Sequence, residues 1–305
     1  MKISTFYAGS PDIDSHIQAA VDAENDGFDG CWYGQVFGAE VLTVIALAGQ
    51  KTSRIEFGTS VVPTYVRHPT IMAQQALTVQ AATGGRFTLG LGLSHAPVVQ
   101  GMWGLSYERP AVHMREYLNV VQPLLTDGMV SFNGEMFRVN AQASVPTSEP
   151  PQVMIAALAP VMLRIAGERT GGTILWMTGP KTIESHIVPR ISKAARAAGR
   201  PQPRIVASLP IAVTDDPDTA RQRAANLFAV YGALPNYKRM LDIEGVDGPK
   251  DMAIVGNEAQ VEQQLRNVAS AGVTEYVANS FPTDDDTRAS LARTRALLKS
   301  LIGKI

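Results

Sequence analysis

Ile55-Glu56-Phe57-Gly58-Thr59-Ser60-Val61-Val62, the stretch 69–82, Gly84-Gly85 and Phe87-Thr88-Leu89-Gly90-Leu91-Gly92-Leu93 follow one another along the chain. They read as strand, helix, stop signal and strand. The first and last runs are short, apolar and rich in β-branched or aromatic residues, as buried strands are. Pro69 suits the first turn of a helix, and a glycine pair suits its end. Two strands joined by a helix run parallel, because a tight turn reverses direction and only a crossover restores it. Gly58, Gly90 and Gly92 interrupt the strands, where another surface approaches the backbone closely.

The same unit repeats outward in both directions. Strand-like runs at 2–8, 30–34, 153–158, 173–177, 205–213 and 276–281 join the two above. Helical patterns alternate with them at 12–26 (entered through Pro11-Asp12), 41–50, 109–125, 160–169, 181–198, 217–230 and 258–271, and a terminal helix covers 284–301. Eight strands alternating with helices predict an α/β fold, a (β/α)8 TIM barrel forming one domain over 1–305. A doubly wound sheet is disfavoured, since no Gly-x-Gly-x-x-Gly turn follows the first strand. Gly90-Leu91-Gly92 sits inside a strand and lacks the third glycine.

Two segments break the rhythm. Residues 129–151 read as a hairpin turning at Phe132-Asn133-Gly134-Glu135, followed by a proline-rich connection. Residues 231–252 are rich in glycine and proline and match no regular element. In a barrel such excursions decorate the loops around the active face.

Of 305 residues, 45% are hydrophobic and only 18% charged, against a usual charged share of about a quarter. A large core is therefore expected. The 27 basic and 28 acidic residues leave a net charge of −1, which argues against a nucleic-acid or anionic-membrane partner held by general electrostatics. One cysteine, Cys31, excludes an internal disulfide framework. No signal-peptide pattern and no membrane-spanning apolar run are evident, so a cytoplasmic protein is expected.

The side chains are sparse in chemistry. Of the five histidines, none forms a His-x-His or His-Glu-x-x-His pair, so no catalytic metal is expected. A Gly-x-Ser-x-Gly elbow is absent, and no lysine stands at a strand end suited to a Schiff base. The strand ends, Gly58 to Tyr65 and Gly90 to His95, are small and apolar and leave room for a flat ring. A bound organic cofactor that carries the reaction fits this pattern.

Gly58-Thr59-Ser60-Val61 with Arg67-His68-Pro69, then Gln74-Gln75-Ala76, Gly84-Gly85-Arg86-Phe87 and Gly90-Leu91-Gly92, together resemble the bacterial luciferase-like family. Ser94-His95, Tyr107-Glu108-Arg109-Pro110, His113-Met114-Arg115-Glu116-Tyr117 and Trp176-Met177-Thr178-Gly179-Pro180 resemble its coenzyme F420-dependent oxidoreductase branch. The resemblance spans essentially the whole chain. It implies a barrel that binds F420, or alternatively FMN, at the C-terminal strand ends, a small organic substrate and a homodimer. A monooxygenase using reduced FMN and a non-catalytic flavin- or deazaflavin-binding protein are the rival readings.

By resemblance, a non-prolyl cis peptide at Ser60–Val61 presses on one face of the ring. Phe6, Tyr7, Val61, Leu93 and Trp176 line the pocket, with Ser94 beside them. Ala156-Ala157-Leu158 and Met177-Thr178-Gly179, with Lys181, grip the phosphate; both turns precede helices, whose N-termini favour anions. His95 occupies a position at which some relatives carry an acidic proton donor, and an imidazole there can exchange a proton. Many relatives have Asp-His after the tryptophan of the second strand. Here the run is Trp32-Tyr33-Gly34-Gln35-Val36, which leaves Tyr33 or Gln35 as replacements in catalysis. Glu108, Arg109, His113 and Glu116 are expected to form a structural ion-pair set.

Overall fold

The computed structural model describes residues 1–8, 10, 12–35, 37–283 and 286–305. Pro11, expected at the first helix entry, Val36 after the second strand and Asp284, expected to open the terminal helix, lie outside the described residues.

Eight parallel strands close into a barrel: β1 (Lys2–Ala8), β2 (Gly30–Gly34), β3 (Glu56–Thr59), β4 (Phe87–Gly92), β5 (Gln152–Ala156), β6 (Gly172–Trp176), β7 (Arg204–Ser208) and β8 (Glu275–Ser280). Closure is the pairing of β1 with β8, Lys2 opposite Glu275 and Thr5 opposite Ala278. Helices Ile13–Asp26, Val41–Gly49, Pro69–Ala82, Pro110–Thr126, Pro160–Arg169, Val188–Ala197, Pro217–Leu227, Glu258–Ser270 and Thr287–Leu301 surround it. No helix among the described residues is long and apolar enough to cross a membrane.

Strand side chains alternate between two cores. Ile3, Cys31, Tyr33, Phe57 and Leu89 pack in the outer core that includes the helices. Trp32, Met154, Ile174, Val206 and Val277 fill the barrel, with Phe6 and Val61 against them. At the N-terminal end of the barrel sits Glu275, 1% exposed. Ser4 Oγ and Trp32 Nε1 each donate to its Oε1 at 2.6 Å, and Arg204 Nη2 reaches Oε2 at 2.7 Å.

The boundaries differ from the sequence reading at four places. The third strand stops at Thr59, passes the cis Ser60–Val61 peptide, and resumes as Val62–Pro63 beside Leu91 and Gly92. The run 205–213 divides at Leu209, and its second half, Pro210–Val213, pairs with Ile254–Gly256. That last strand is three residues long and too short for a periodic signal. The hairpin forms from Met129–Asn133 and Arg138–Gln142, but its loop has four residues, Gly134 N donating to Phe137 O.

The fourth difference matters most for function. Residues 231–252 are largely helical: Ala229–Ala233, Pro235–Glu244 and a 3-10 turn, Pro249–Met252. Pro235 and Pro249 stand at first helical positions, and Gly245 follows the end of the Pro235–Glu244 helix. Here proline and glycine bound helices, which composition alone reads as absence of structure.

Candidate active site

The C-terminal strand ends form the barrel mouth, where TIM-barrel sites are built. Thr59 Oγ1 donates to Gly90 O and accepts from Gly90 N, both at 2.8 Å, which joins β3 to β4 side by side. Ser60 N donates to Tyr33 O at 2.8 Å, and Thr64 N to Gly92 O at 2.9 Å. Ser60 and Val61 are thereby pinned from both neighbouring strands. A Cβ on Gly92 would stand 2.3 Å from Val61 Cγ2, so only glycine permits this approach. Leu93 is half-buried against the main core.

After β4 and β6 the backbone turns through left-handed conformations at non-glycine residues, Ser94 (φ 59°) and Met177 (φ 49°). Such conformations are uncommon for L side chains and recur at functional turns. Ser94 O accepts from the Tyr107 hydroxyl at 3.3 Å. His95 follows, its ring 5.7 Å from that of Tyr237. Burial holds its pKa below the ordinary histidine value, so the imidazole is neutral at physiological pH. Its ring nitrogens have no hydrogen-bond partner among the described residues.

Tyr237 belongs to a band of aromatic rings across the mouth. Phe281 meets Phe228 at 6.1 Å, Phe228 meets Trp176 at 5.6 Å, Trp176 meets Tyr231 at 5.6 Å, and Tyr231 meets Tyr237 at 5.2 Å. Burial raises the pKa of both tyrosines. Among the described residues, Trp176 Nε1 and Ser208 Oγ are buried in this region without hydrogen-bond partners. The Trp176 indole N–H offsets part of the rise that burial causes at the Tyr231 hydroxyl, without a hydrogen bond of ordinary geometry between them. Trp176 and Ser208 are register partners on β6 and β7. Buried groups of this kind normally find a partner, and a ligand in the mouth could supply one.

The two turns expected to hold phosphate differ. The helix starting at Pro160 has Ala159 at its N-cap and no side-chain cap. The turn before Pro180 is already filled. Lys181 N and Thr182 N donate to the Glu244 carboxylate at 3.2 and 2.7 Å, and Lys181 Nζ donates to Glu244 O at 3.3 Å. The Thr178 hydroxyl turns back to Trp176 O at 3.1 Å. In this structure the turn expected to grip phosphate through Thr178, Gly179 and Lys181 holds a carboxylate of the chain itself. Ala156, Ala157 and Leu158 lead into the uncapped turn, where His186 Nε2 donates to Leu158 O at 2.9 Å.

Tyr33 and Tyr7, expected in the site, need a correction. Phe6 and Trp32 take the barrel interior, so strand alternation sends their neighbours outward. Tyr33 is fully buried and donates to His16 O at 2.7 Å. The Tyr7 ring packs on His16 at 4.8 Å and Tyr33 at 6.4 Å, between barrel and helix. Burial drives the Tyr33 hydroxyl pKa far up, which removes it as a proton donor for the mouth. Gln35 Oε1 accepts from Val41 N at 3.1 Å and starts the next helix.

The expected ion-pair set also resolves differently. Arg109 pairs with Glu135. Glu116 accepts from the amides of Glu135, Met136 and Phe137 at 2.9, 2.8 and 3.1 Å, fastening the hairpin loop. His113 stacks on Tyr65 at 4.0 Å and bonds Thr64 Oγ1 at 3.0 Å.

Sequence reading missed Phe228, Tyr231, Tyr237, Ser208 and Glu244. The spacing Phe228, Tyr231, Leu234, Tyr237 is a helical three-residue period that could have revealed the aromatic face.

A sequence profile of the family described as luciferase-like monooxygenase matches residues 2–275. A candidate coenzyme F420-dependent oxidoreductase of Mycobacterium tuberculosis is 27% identical, with 90% of this chain and 93% of that protein aligned. The 5,10-methylenetetrahydromethanopterin reductase of Archaeoglobus fulgidus is 27% identical over 88% of this chain and 90% of its own. Among solved structures, an F420-dependent secondary alcohol dehydrogenase in complex with an F420-acetone adduct superimposes with a TM-score of 0.80 at 18% identity, covering 97% of each chain.

Proposed function

The chain belongs to the luciferase-like monooxygenase family, and from that premise we propose that it is a coenzyme F420-dependent oxidoreductase acting on a small organic substrate. The observation that carries the reading is the mouth itself. Trp176 Nε1 and Ser208 Oγ lie buried and unpartnered on adjacent strands among the described residues, the aromatic band runs from Trp176 to a neutral His95, and the helix after β5 starts uncapped at Pro160. The relatives aligned over nine-tenths of the chain support F420 as the cofactor.

These residues fit such a group. Ser60, Val61, Leu93 and Ser94 would hold the ring, Trp176 and Ser208 would donate to its polar edge, and Ala156 to Leu158 with the Pro160 helix would take the phosphate. Bound there, F420 supplies two-electron hydride exchange at its C5. The chain's own contribution is orientation, exclusion of water and one proton. The aromatic band from Phe281 to Tyr237 keeps solvent from the mouth. His95, neutral through burial, accepts a proton at an unpartnered ring nitrogen or, once charged, returns it to the substrate. A cytoplasmic homodimer is part of the same proposal, and light scattering should find a particle twice the mass of the chain.

The test is a spectroscopic titration of purified protein with F420, FMN and FAD in parallel. F420 should bind at micromolar concentration or below and FMN more weakly. Equal or tighter FMN binding favours the monooxygenase reading. F420 binding without turnover of any alcohol, ketone or reduced pterin favours a carrier. His95→Ala should retain F420 binding and lower turnover about 10²–10⁴-fold.

A further inference from the structure

The segment that lays Tyr231 and Tyr237 across the mouth packs Met240 and Leu241 into the main core, and its far end is tied down by a small set of polar contacts. Its last helical residue, Glu244, reaches the start of the helical run that follows β6, which begins with the turn Pro180–Thr182 and continues through the π-helical Ile183–Ile187 into Val188–Ala197. There its carboxylate accepts from Lys181 N at 3.2 Å and Thr182 N at 2.7 Å. Lys181 Nζ donates to Glu244 O at 3.3 Å, and Thr182 Oγ1 to Met240 O at 3.2 Å. Gly179 makes room for this contact, since a Cβ there would fall 2.4 Å from Glu244 Cδ. No residue of the helix caps its own N-terminus. A carboxylate is the group that a helix N-terminus binds best, through its free N–H groups and its dipole. The cap therefore comes from 62 residues further along the chain.

We propose that Glu244 is a positioning residue: by capping this helix from outside, it holds the tyrosine-bearing segment over the barrel mouth and Tyr237 against His95. Pro235–Glu244 is one continuous helix carrying Tyr237 in its first turn and Glu244 at its end. Fixing the end of a rigid helix fixes its first turn, and so the ring that covers His95. The inference does not depend on which cofactor the mouth takes, because every contact it uses is present in the protein alone.

Diethylpyrocarbonate, which modifies neutral imidazoles, tests it on ligand-free protein with the site of modification read by mass spectrometry. In the unaltered protein His95 should react slowly. Glu244→Ala should raise its rate roughly five- to tenfold, the range expected for loss of a helix cap. Glu244→Gln keeps an acceptor oxygen, folds under milder demand, and should give an intermediate rate. Tyr237→Ala should raise the rate by a similar factor, and combining it with Glu244→Ala should add little, because both act through one contact. His16 and His113, buried elsewhere, serve as internal controls and should not change. An unchanged His95 rate in both Glu244 variants, full additivity with Tyr237→Ala, or parallel gains at His16 and His113 would each overturn the proposal.

Discussion

The two ends of the barrel treat the same kinds of side chain in opposite ways. At the base, Trp32 Nε1 and Ser4 Oγ are buried and both donate to Glu275, whose second oxygen is bonded to Arg204. At the mouth, Trp176 Nε1 and Ser208 Oγ are buried and make no hydrogen bond of ordinary geometry among the described residues. An unpaired buried donor costs more than a made hydrogen bond contributes. The base thus has the character of a stabilising joint, and the mouth that of a surface whose partner arrives from outside. Charge follows the same division. The base carries the Glu275–Arg204 salt bridge, whereas the histidines on the mouth side, His95 and His113, are held neutral by burial.

Removing the carboxylate at the base should have the largest effect. Glu275→Ala leaves Arg204, Trp32 and Ser4 without their acceptor, and denaturant melts should show a loss of about 3–5 kcal/mol. A stability within error of the unaltered protein would erase the distinction drawn between the two ends.

Acid should act next, and on the mouth side. Burial takes the His113 pKa down to about 4 from the ordinary histidine value of about 6.5. The unfolded chain therefore binds a proton that the folded chain refuses across that window. Stability is full above the unfolded value and falls as pH drops from about 6.5 toward 4, by up to about 3 kcal/mol. His113→Phe, which keeps a ring for stacking, should flatten the slope between those pH values in urea titrations.

The sharpest comparison uses one substitution at both ends. Ser4→Ala removes a donor to a charged group and should cost about 1.5–3 kcal/mol. Ser208→Ala removes a hydroxyl that has no partner, and its stability should stay within about 0.5 kcal/mol of the unaltered protein. The reading of the mouth requires the same Ser208→Ala variant to bind F420 more weakly. If both serine variants lose equal stability, Ser208 has a partner within the chain.

The barrel was legible in the sequence because its signals are local. Short apolar runs, Pro69 at a helix start and Gly84-Gly85 at its end each report on a few neighbouring residues, and repetition of that unit permits few folds. The cis peptide at Ser60–Val61 was expected from the family resemblance of that strand end, not from local propensity. Side-chain direction was less accessible. Tyr7 and Tyr33 looked like site residues, yet strand alternation turned them outward, and the phase of that alternation is fixed only by which neighbours, Phe6 and Trp32, fill the barrel.

What only the tertiary structure decided are the contacts between distant segments. The helix N-terminus at Pro180 looks free in sequence, and nothing near it announces a cap; the carboxylate that fills it is Glu244. The aromatic band likewise draws on residues from 95 to 281. Local propensity and periodicity determine where a chain forms strands and helices. Which donor meets which acceptor across a barrel mouth depends on how far each element is carried by all the others, and no short window of sequence contains that distance.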